Sequence, residues 1–253
     1  MADIIAVANL KGGVGKSTIA VNLACALCGP DRSAVVIDAD SQGTSLFWSQ
    51  QGHLPVETRA MPLEDEYHRG GWISRLIGRN GMQHSDRTSD DWIAEVRQIA
   101  ADYVVIDCPP HVGTATRAAV WTADLVVVPV TAAAVDLAAT RPALDLIVRA
   151  REARRDGGPK CLLVPSRVDR STATGRTIKD ILKHLGEPVG PSIGQRIAFA
   201  DAVAFGQWIG DYAPQSAAHE EMLNLAYCVR RVIAKKERRR SIALPVEQSA
   251  EKA

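Results

Sequence analysis

Asn9-Leu10-Lys11-Gly12-Gly13-Val14-Gly15-Lys16-Ser17-Thr18 is the stretch that decides how this chain folds. It follows directly on an apolar run, Ile4–Ala8, and leads directly into a helical stretch, Ser17–Leu27. Strand, glycine-rich turn and helix in that order are the context of a phosphate-binding loop. Glycine admits backbone angles closed to other residues and lets N–H groups converge with no Cβ in the way. Such a nest of amides, joined to a helix N-terminus, attracts a polyphosphate. Gly12, Gly13, Val14 and Gly15 then supply the cradle. Lys16 reaches the β- and γ-phosphates, and the Ser17 hydroxyl, followed by Thr18, is placed for Mg²⁺. Without Gly15-Lys16-Ser17 the stretch would read only as a turn between a strand and a helix.

Outward from the loop, further apolar runs occupy Ala34–Ile37, Tyr103–Ile106, Leu125–Val130 and Cys161–Val164. They are nearly continuous rather than alternating, the pattern of parallel strands covered on both faces. Helical patterns lie between them at Trp92–Ala101 and Thr140–Arg155, and another follows at Thr174–Leu185. The alternation predicts an α/β class with a doubly wound, mostly parallel sheet, and the phosphate-loop motif at its first strand makes it of the P-loop NTPase type. Residues 1–240 are expected to form one domain, with a disordered tail over 241–253. His53–Asp91 is the least legible part. Its prolines and glycines among charged residues suit either an insertion on the domain edge or a partner-binding surface.

Composition sets outer bounds. The chain has 253 residues, 46% hydrophobic and 23% charged, which is ample for a buried core and excludes wholesale disorder. A formal net charge of +1 excludes a uniformly cationic coat. No apolar run approaches the ~18 residues of a membrane span, and Met1-Ala2-Asp3-Ile4 lacks the pattern of a signal peptide. The odd count of five cysteines points to free thiols. Cys25 and Cys28 have CxxC spacing, but no second pair completes a zinc site, and they read as core residues one turn apart. The expected location is the cytoplasm.

The string Lys-Gly-Gly-Val-Gly-Lys-Ser-Thr departs from the general phosphate-loop pattern. Leu10 stands at the first glycine position, and Lys11 is an additional lysine. It resembles the deviant Walker A motif of the ParA/MinD family of ATPases. That resemblance implies that Lys11 crosses a dimer interface to the phosphates of the nucleotide held by the partner, so that ATP binding drives homodimer formation. Ile37-Asp38-Ala39-Asp40-Ser41-Gln42-Gly43 resembles the family's second motif, with Ser41 where proline is usual. By that likeness Asp40 positions the attacking water and Asp38 sits nearer the Mg²⁺ shell. Asp107, in Val104-Val105-Ile106-Asp107-Cys108-Pro109-Pro110, matches Walker B and is expected to hold Mg²⁺ through water and to orient Ser17. His111 reads as an exposed loop histidine. In relatives the loop after the fifth apolar run lies against adenine, which makes Arg167 a candidate contact, with Gly194-Gln195-Arg196-Ile197 as another. The likeness extends through Asp124–Val130, Ala200–Gln207 and His219–Ile233, about residues 3 to 235. With the chain starting at the phosphate strand, it looks like the short ParA type that lacks a helix-turn-helix extension.

Arg230, Arg231, Lys235, Lys236, Arg238, Arg239 and Arg240 crowd the C-terminal segment, with Glu237 the one acid among them. Leu223, Ala226, Val229 and Ile233 recur at helical spacing and predict a packed face, leaving the basic side chains outward. Such a patch suits sequence-independent, salt-sensitive binding of double-stranded DNA, and hence association with the nucleoid. Arg149, Arg151, Arg154 and Arg155 form a second candidate patch. MinD-type membrane attachment is the poorer reading. Beyond Arg240 only Ile242, Leu244 and Val246 are bulky and apolar, and Pro245 interrupts them. A metabolic or redox P-loop enzyme on the same scaffold is the other alternative, and an iron-protein relative would need cysteines such as Cys108 facing a shared cluster. The resemblance thus implies an ATPase using ATP and Mg²⁺. As an ATP-dependent dimer it binds DNA and positions a cargo, such as a plasmid, a chromosome origin, a carboxysome or a chemoreceptor cluster. A cargo-bound activating partner of ParB-like kind releases it by stimulating hydrolysis.

Overall fold

The computed structural model describes residues 1–63, 88–132 and 134–242; the side chains of residues 134–139 and 235–242 lie outside that description. Among the described residues six parallel strands form one sheet: β1 (Asp3–Val7), β2 (Ala34–Asp38), β3 (Glu57–Ala60), β4 (Tyr103–Asp107), β5 (Leu125–Val130) and β6 (Lys160–Pro165). Their order is β3-β2-β4-β1-β5-β6. The doubly wound α/β reading therefore holds, and every expected strand is present to within one residue at each end. β3 is the exception, an edge strand with no apolar run to mark it. Its residues Glu57, Arg59 and Ala60 are exposed, so burial wrote no pattern there.

Continuous apolarity in the strands has a direct structural cause. Ile5 and Val7 of β1 enter the core on one face while Ile4 and Ala6 enter it on the other, and Val36 against Val35 and Ile37 repeats the split on β2. The first face is covered by α1 (Lys16–Leu27) and by a long helix near the end of the chain, Ala217–Ile242. The second is covered by α3 (Ser89–Gln98), α4 (Thr114–Thr122), α5 (Ala134–Ala153) and α6 (Ala173–Lys183). Three short helices complete the first face or border it: α2 (Thr44–Ser49), α7 (Ile197–Ala204) and α8 (Ile209–Tyr212). The long helix is α9. Two buried tryptophans tie loops to this frame, Trp48 donating from Nε1 to the Gln207 carbonyl and Trp92 to that of Met61.

Two expectations about the charged surface change. On α9 the packed side is Met222, Leu225, Ala226, Val229 and Ile233, whereas Leu223 is exposed; the apolar stripe enters the core one position earlier than its spacing suggested. Lys160 Nζ donates to the Val232 carbonyl at 2.5 Å, where the packed part of the helix ends. The helix continues to Ile242, so Ser241 and Ile242 are helical rather than tail, and residues 243–253 lie outside the described residues. The second basic patch also loses two members. Arg151 donates to both Glu187 oxygens and to the Pro159 carbonyl. Arg154 holds the Trp121 and Ala123 carbonyls and Asp156. Both guanidiniums fasten the fold instead of facing a ligand.

Candidate nucleotide site

The sheet order places the loop that follows β1 beside the ends of β2 and β4. Along those strands Val7 is paired with Asp107, and Asp107 with Asp38. Three neighbouring strands thus deliver Asn9–Thr18, Asp38–Asp40 and Asp107 to one carboxyl edge, where open α/β sheets bind ligands.

The loop is braced from its first residue. Asn9 is buried; its Nδ2 donates to the Pro129 carbonyl at 2.7 Å and its Oδ1 accepts from the Lys11 amide at 3.2 Å. Gly13 and Gly15 have φ of 75° and 91°, left-handed values that favour glycine. A Cβ on Gly15 would also stand 3.0 Å from Ser166 Oγ. Gly15 is the N-cap of α1 and offers no side-chain cap, and the first turn of the helix carries no acid. Its leading amides therefore point at the loop with nothing from their own segment to neutralise them, which is the arrangement that holds an anion.

Two lysines flank this cradle in different settings. Lys16 is buried, and its Nζ donates to the Lys11 carbonyl at 3.0 Å. Burial lowers its pKa, opposed chiefly by the nearby Asp107 carboxylate and further by Cys108 and Asp40. Lys11 is half-buried and lines a cleft of about 480 Å³ together with Gly12, Gly13, Thr131, Arg167 and Asp169.

Two carboxyls close the inner side. Asp107 is fully buried; its Oδ2 accepts from Ser45 Oγ at 2.7 Å, and its Oδ1 has no hydrogen-bond partner among the described residues. Burial pushes its pKa up to about 7, against the Ser17 and Ser45 hydroxyls that pull it down. Asp38 is buried too, but its Oδ1 accepts from the Asp40 amide at 3.1 Å and its Oδ2 from the Leu46 amide at 2.8 Å. The N-cap of α2 is Gly43, with no side chain to cap the helix, so Asp38 reaches over from β2 to do so. Both Asp38 oxygens thus help hold the turn that carries Asp40, a role its expected place near the Mg²⁺ shell did not include. Asp40 itself is partly exposed and accepts from the Gln42 amide at 3.0 Å. Ser45, which sequence reasoning passed over, is the second hydroxyl on Asp107, and only its place on α2 discloses it.

Arg167, the candidate adenine contact, lines the cleft, and its hydrogen bond is with the loop: Nη1 donates to the Gly13 carbonyl at 2.8 Å. His111 is exposed as read. Cys108 is fully buried and its thiol pKa is pushed up by burial, which removes it from any shared cluster. Cys25 is a core residue, and Cys28 packs partly exposed beside the same cluster. Of the basic C-terminal set, Arg230 is half-buried and Arg231 exposed over the Tyr227 ring. The side chains of Lys235, Lys236, Arg238, Arg239 and Arg240 lie outside the described residues, although their backbone is helical.

Residues 5–209 match the model of the CobQ/CobB/MinD/ParA nucleotide binding domain. The chain belongs to that family. It is 30% identical to the chromosome-partitioning ATPase Soj of Thermus thermophilus, over 88% of this chain and 93% of Soj. It is 29% identical to the maintenance of carboxysome distribution protein A of Halothiobacillus neapolitanus, over 80% and 84%. Among solved structures, apo McdA of Cyanothece superposes with a TM-score of 0.69 at 16% identity, covering 90% of this chain and all of that one. The Pyrococcus horikoshii septum site-determining protein MinD, complexed with Mg-ADP, gives 0.66 at 17%, covering 93% and 99%. The family is thus that of the partitioning and positioning ATPases, and the fold is shared with both solved proteins.

Proposed function

We propose that this protein is a ParA-type positioning ATPase whose nucleotide is the glue of a homodimer. The carrying observation is the different setting of its two loop lysines. Lys16 is buried with Asp107 and serves its own subunit's triphosphate. Lys11 lies at the open cleft, where a second copy can approach. ATP binds to the amides of the loop and of the α1 N-terminus. Asp40, held by Asp38 and Gln42, orients the water that attacks the γ-phosphoryl group, and Lys16 and the loop amides offset the charge that develops.

The donor set also fits Mg²⁺. Among the described residues Asp107 presents a buried Oδ1 with no hydrogen-bond partner, the Ser17 hydroxyl is beside the carboxylate, and no group of three His, Cys, Asp or Glu side chains gathers. A hard cation held by so few protein oxygens takes the rest from phosphate and water. When bound it neutralises phosphate charge, and Ser17 and Asp107 would hold it.

The dimer doubles the basic surface that begins at Arg230 and Arg231 on α9, and this surface binds nucleoid DNA without reading sequence. A cargo-bound partner stimulates hydrolysis and frees the ATPase. Co-sedimentation with plasmid DNA at two salt concentrations tests the reading. DNA binding is expected with ATP, weak with ADP, lost at high salt, and prolonged in Asp40→Ala, whose turnover should drop by roughly 100-fold or more. DNA binding indifferent to nucleotide, or wild-type turnover by Asp40→Ala, would contradict it.

A further inference from the structure

Two consecutive residues at the end of β6 hold two consecutive carbonyls of the phosphate loop. Ser166 Oγ donates to the Val14 carbonyl at 2.8 Å, and Arg167 Nη1 donates to the Gly13 carbonyl at 2.8 Å. Ser166 is buried, whereas the Arg167 side chain folds back over the loop from an exposed position. Arg167 does so from a backbone with φ of 52°, and Gln215 is the one other non-glycine residue with positive φ among those described. An arginine in the left-handed region is uncommon, and such outliers gather where the surroundings over-determine them.

In a trans peptide the C=O and the following N–H point in opposite directions. Pinning the Gly13 carbonyl on the β6 side therefore turns the Val14 amide the other way, into the cradle. Pinning the Val14 carbonyl does the same for the Gly15 amide. The loop's glycines would otherwise let these peptide planes rotate. We infer that Ser166 and Arg167 are positioning residues that set the phosphate-binding amides by clamping the carbonyls behind them, and that Arg167 serves phosphate affinity rather than base recognition. This rests on the nucleotide-binding reading of the loop.

The test separates phosphate from base. Binding of ATP, ADP and inorganic tripolyphosphate to the full chain is measured by calorimetry for wild type, Ser166→Ala, Arg167→Asn and Arg167→Lys. Asparagine tolerates the left-handed backbone while removing the guanidinium. Ser166→Ala leaves the buried Val14 carbonyl unpaired, so roughly tenfold weaker binding is expected, and a few-fold for the more exposed Arg167→Asn. In both, the three ligands should weaken by the same factor, and Arg167→Lys should recover part of the loss. Two results would overturn the inference. One is Arg167→Asn weakening ATP and ADP but not tripolyphosphate, the mark of a base contact. The other is both variants binding all three ligands like wild type. Failure of wild type itself to bind ATP would instead remove the nucleotide reading on which the inference rests.

Discussion

Asp38 and Asp107 end neighbouring strands, stand in register with each other, and are both almost wholly buried. Their surroundings nevertheless differ. Two backbone amides satisfy Asp38, one of them from the helix it caps. Asp107 accepts from the Ser45 hydroxyl on Oδ2, with the Ser17 hydroxyl beside it, and its Oδ1 has no hydrogen-bond partner among the described residues. Burying a carboxylate is costly unless hydrogen bonds compensate. A satisfied one stabilises the fold, while an unsatisfied one is retained where chemistry needs its free lone pairs. Burial alone would have made the two residues equivalent.

Substitution at the two positions should separate them most sharply in catalysis. Asp107→Asn keeps the shape and the Ser45 contact but removes the charge, and ATP turnover should fall by roughly 100-fold or more. Measured in the same assay, Asp38→Asn should retain much more activity, and equal losses would erase the distinction. Stability should show the reverse order. Asp38→Ala strips two amides of a charged acceptor and uncaps α2, a loss of about 3 kcal/mol, which for a chain of this size lowers Tm by roughly 6–12 °C. Asp107→Asn should leave Tm of the nucleotide-free protein at pH 8 unchanged or higher, because it relieves a buried charge. Thermal melts of both variants check this.

The pH dependence sharpens the contrast further. A carboxyl whose folded-state pKa is raised keeps its proton in the folded protein after the unfolded chain has lost it. Between the ordinary aspartate range near pH 4 and the Asp107 value of about 7, stability of the nucleotide-free protein therefore falls as pH rises, and it levels off above 7. Asp38 contributes in the same direction, since burial raises its pKa as well. Melts from pH 5 to 8 should show a declining Tm in wild type and a shallower decline in Asp107→Asn.

Much of this was legible from residue order. The loop, the strand-end acids and the parallel sheet all follow from apolar runs ending in polar punctuation, because strands covered on both faces leave a continuous signature. β3 left none, since Glu57, Arg59 and Ala60 face solvent. The difference between Asp38 and Asp107 was equally hidden. It depends on Leu46 and Ser45 arriving from α2, and a turn that brings an amide or a hydroxyl to a distant carboxylate has no periodicity to read. Arg167 was singled out as a candidate base contact, but its partner in the loop was not legible, because the contact with Gly13 spans 154 positions. On α9 the stripe through Ala226, Val229 and Ile233 is buried as its spacing implies, and only its first member differs, since Leu223 and Met222 are equally apolar and packing alone chooses between them.

If Lys11 links nucleotide binding to the pairing of two chains, molecular mass in solution must follow the nucleotide. Analytical ultracentrifugation of Asp40→Ala with ATP and Mg²⁺ should give a dimer, and the same protein with ADP a monomer. Adding Lys11→Ala should return the ATP form to a monomer that still binds ATP. A Lys11→Ala protein that dimerises with ATP as readily as its parent, or a parent that stays monomeric with ATP bound, would contradict the account.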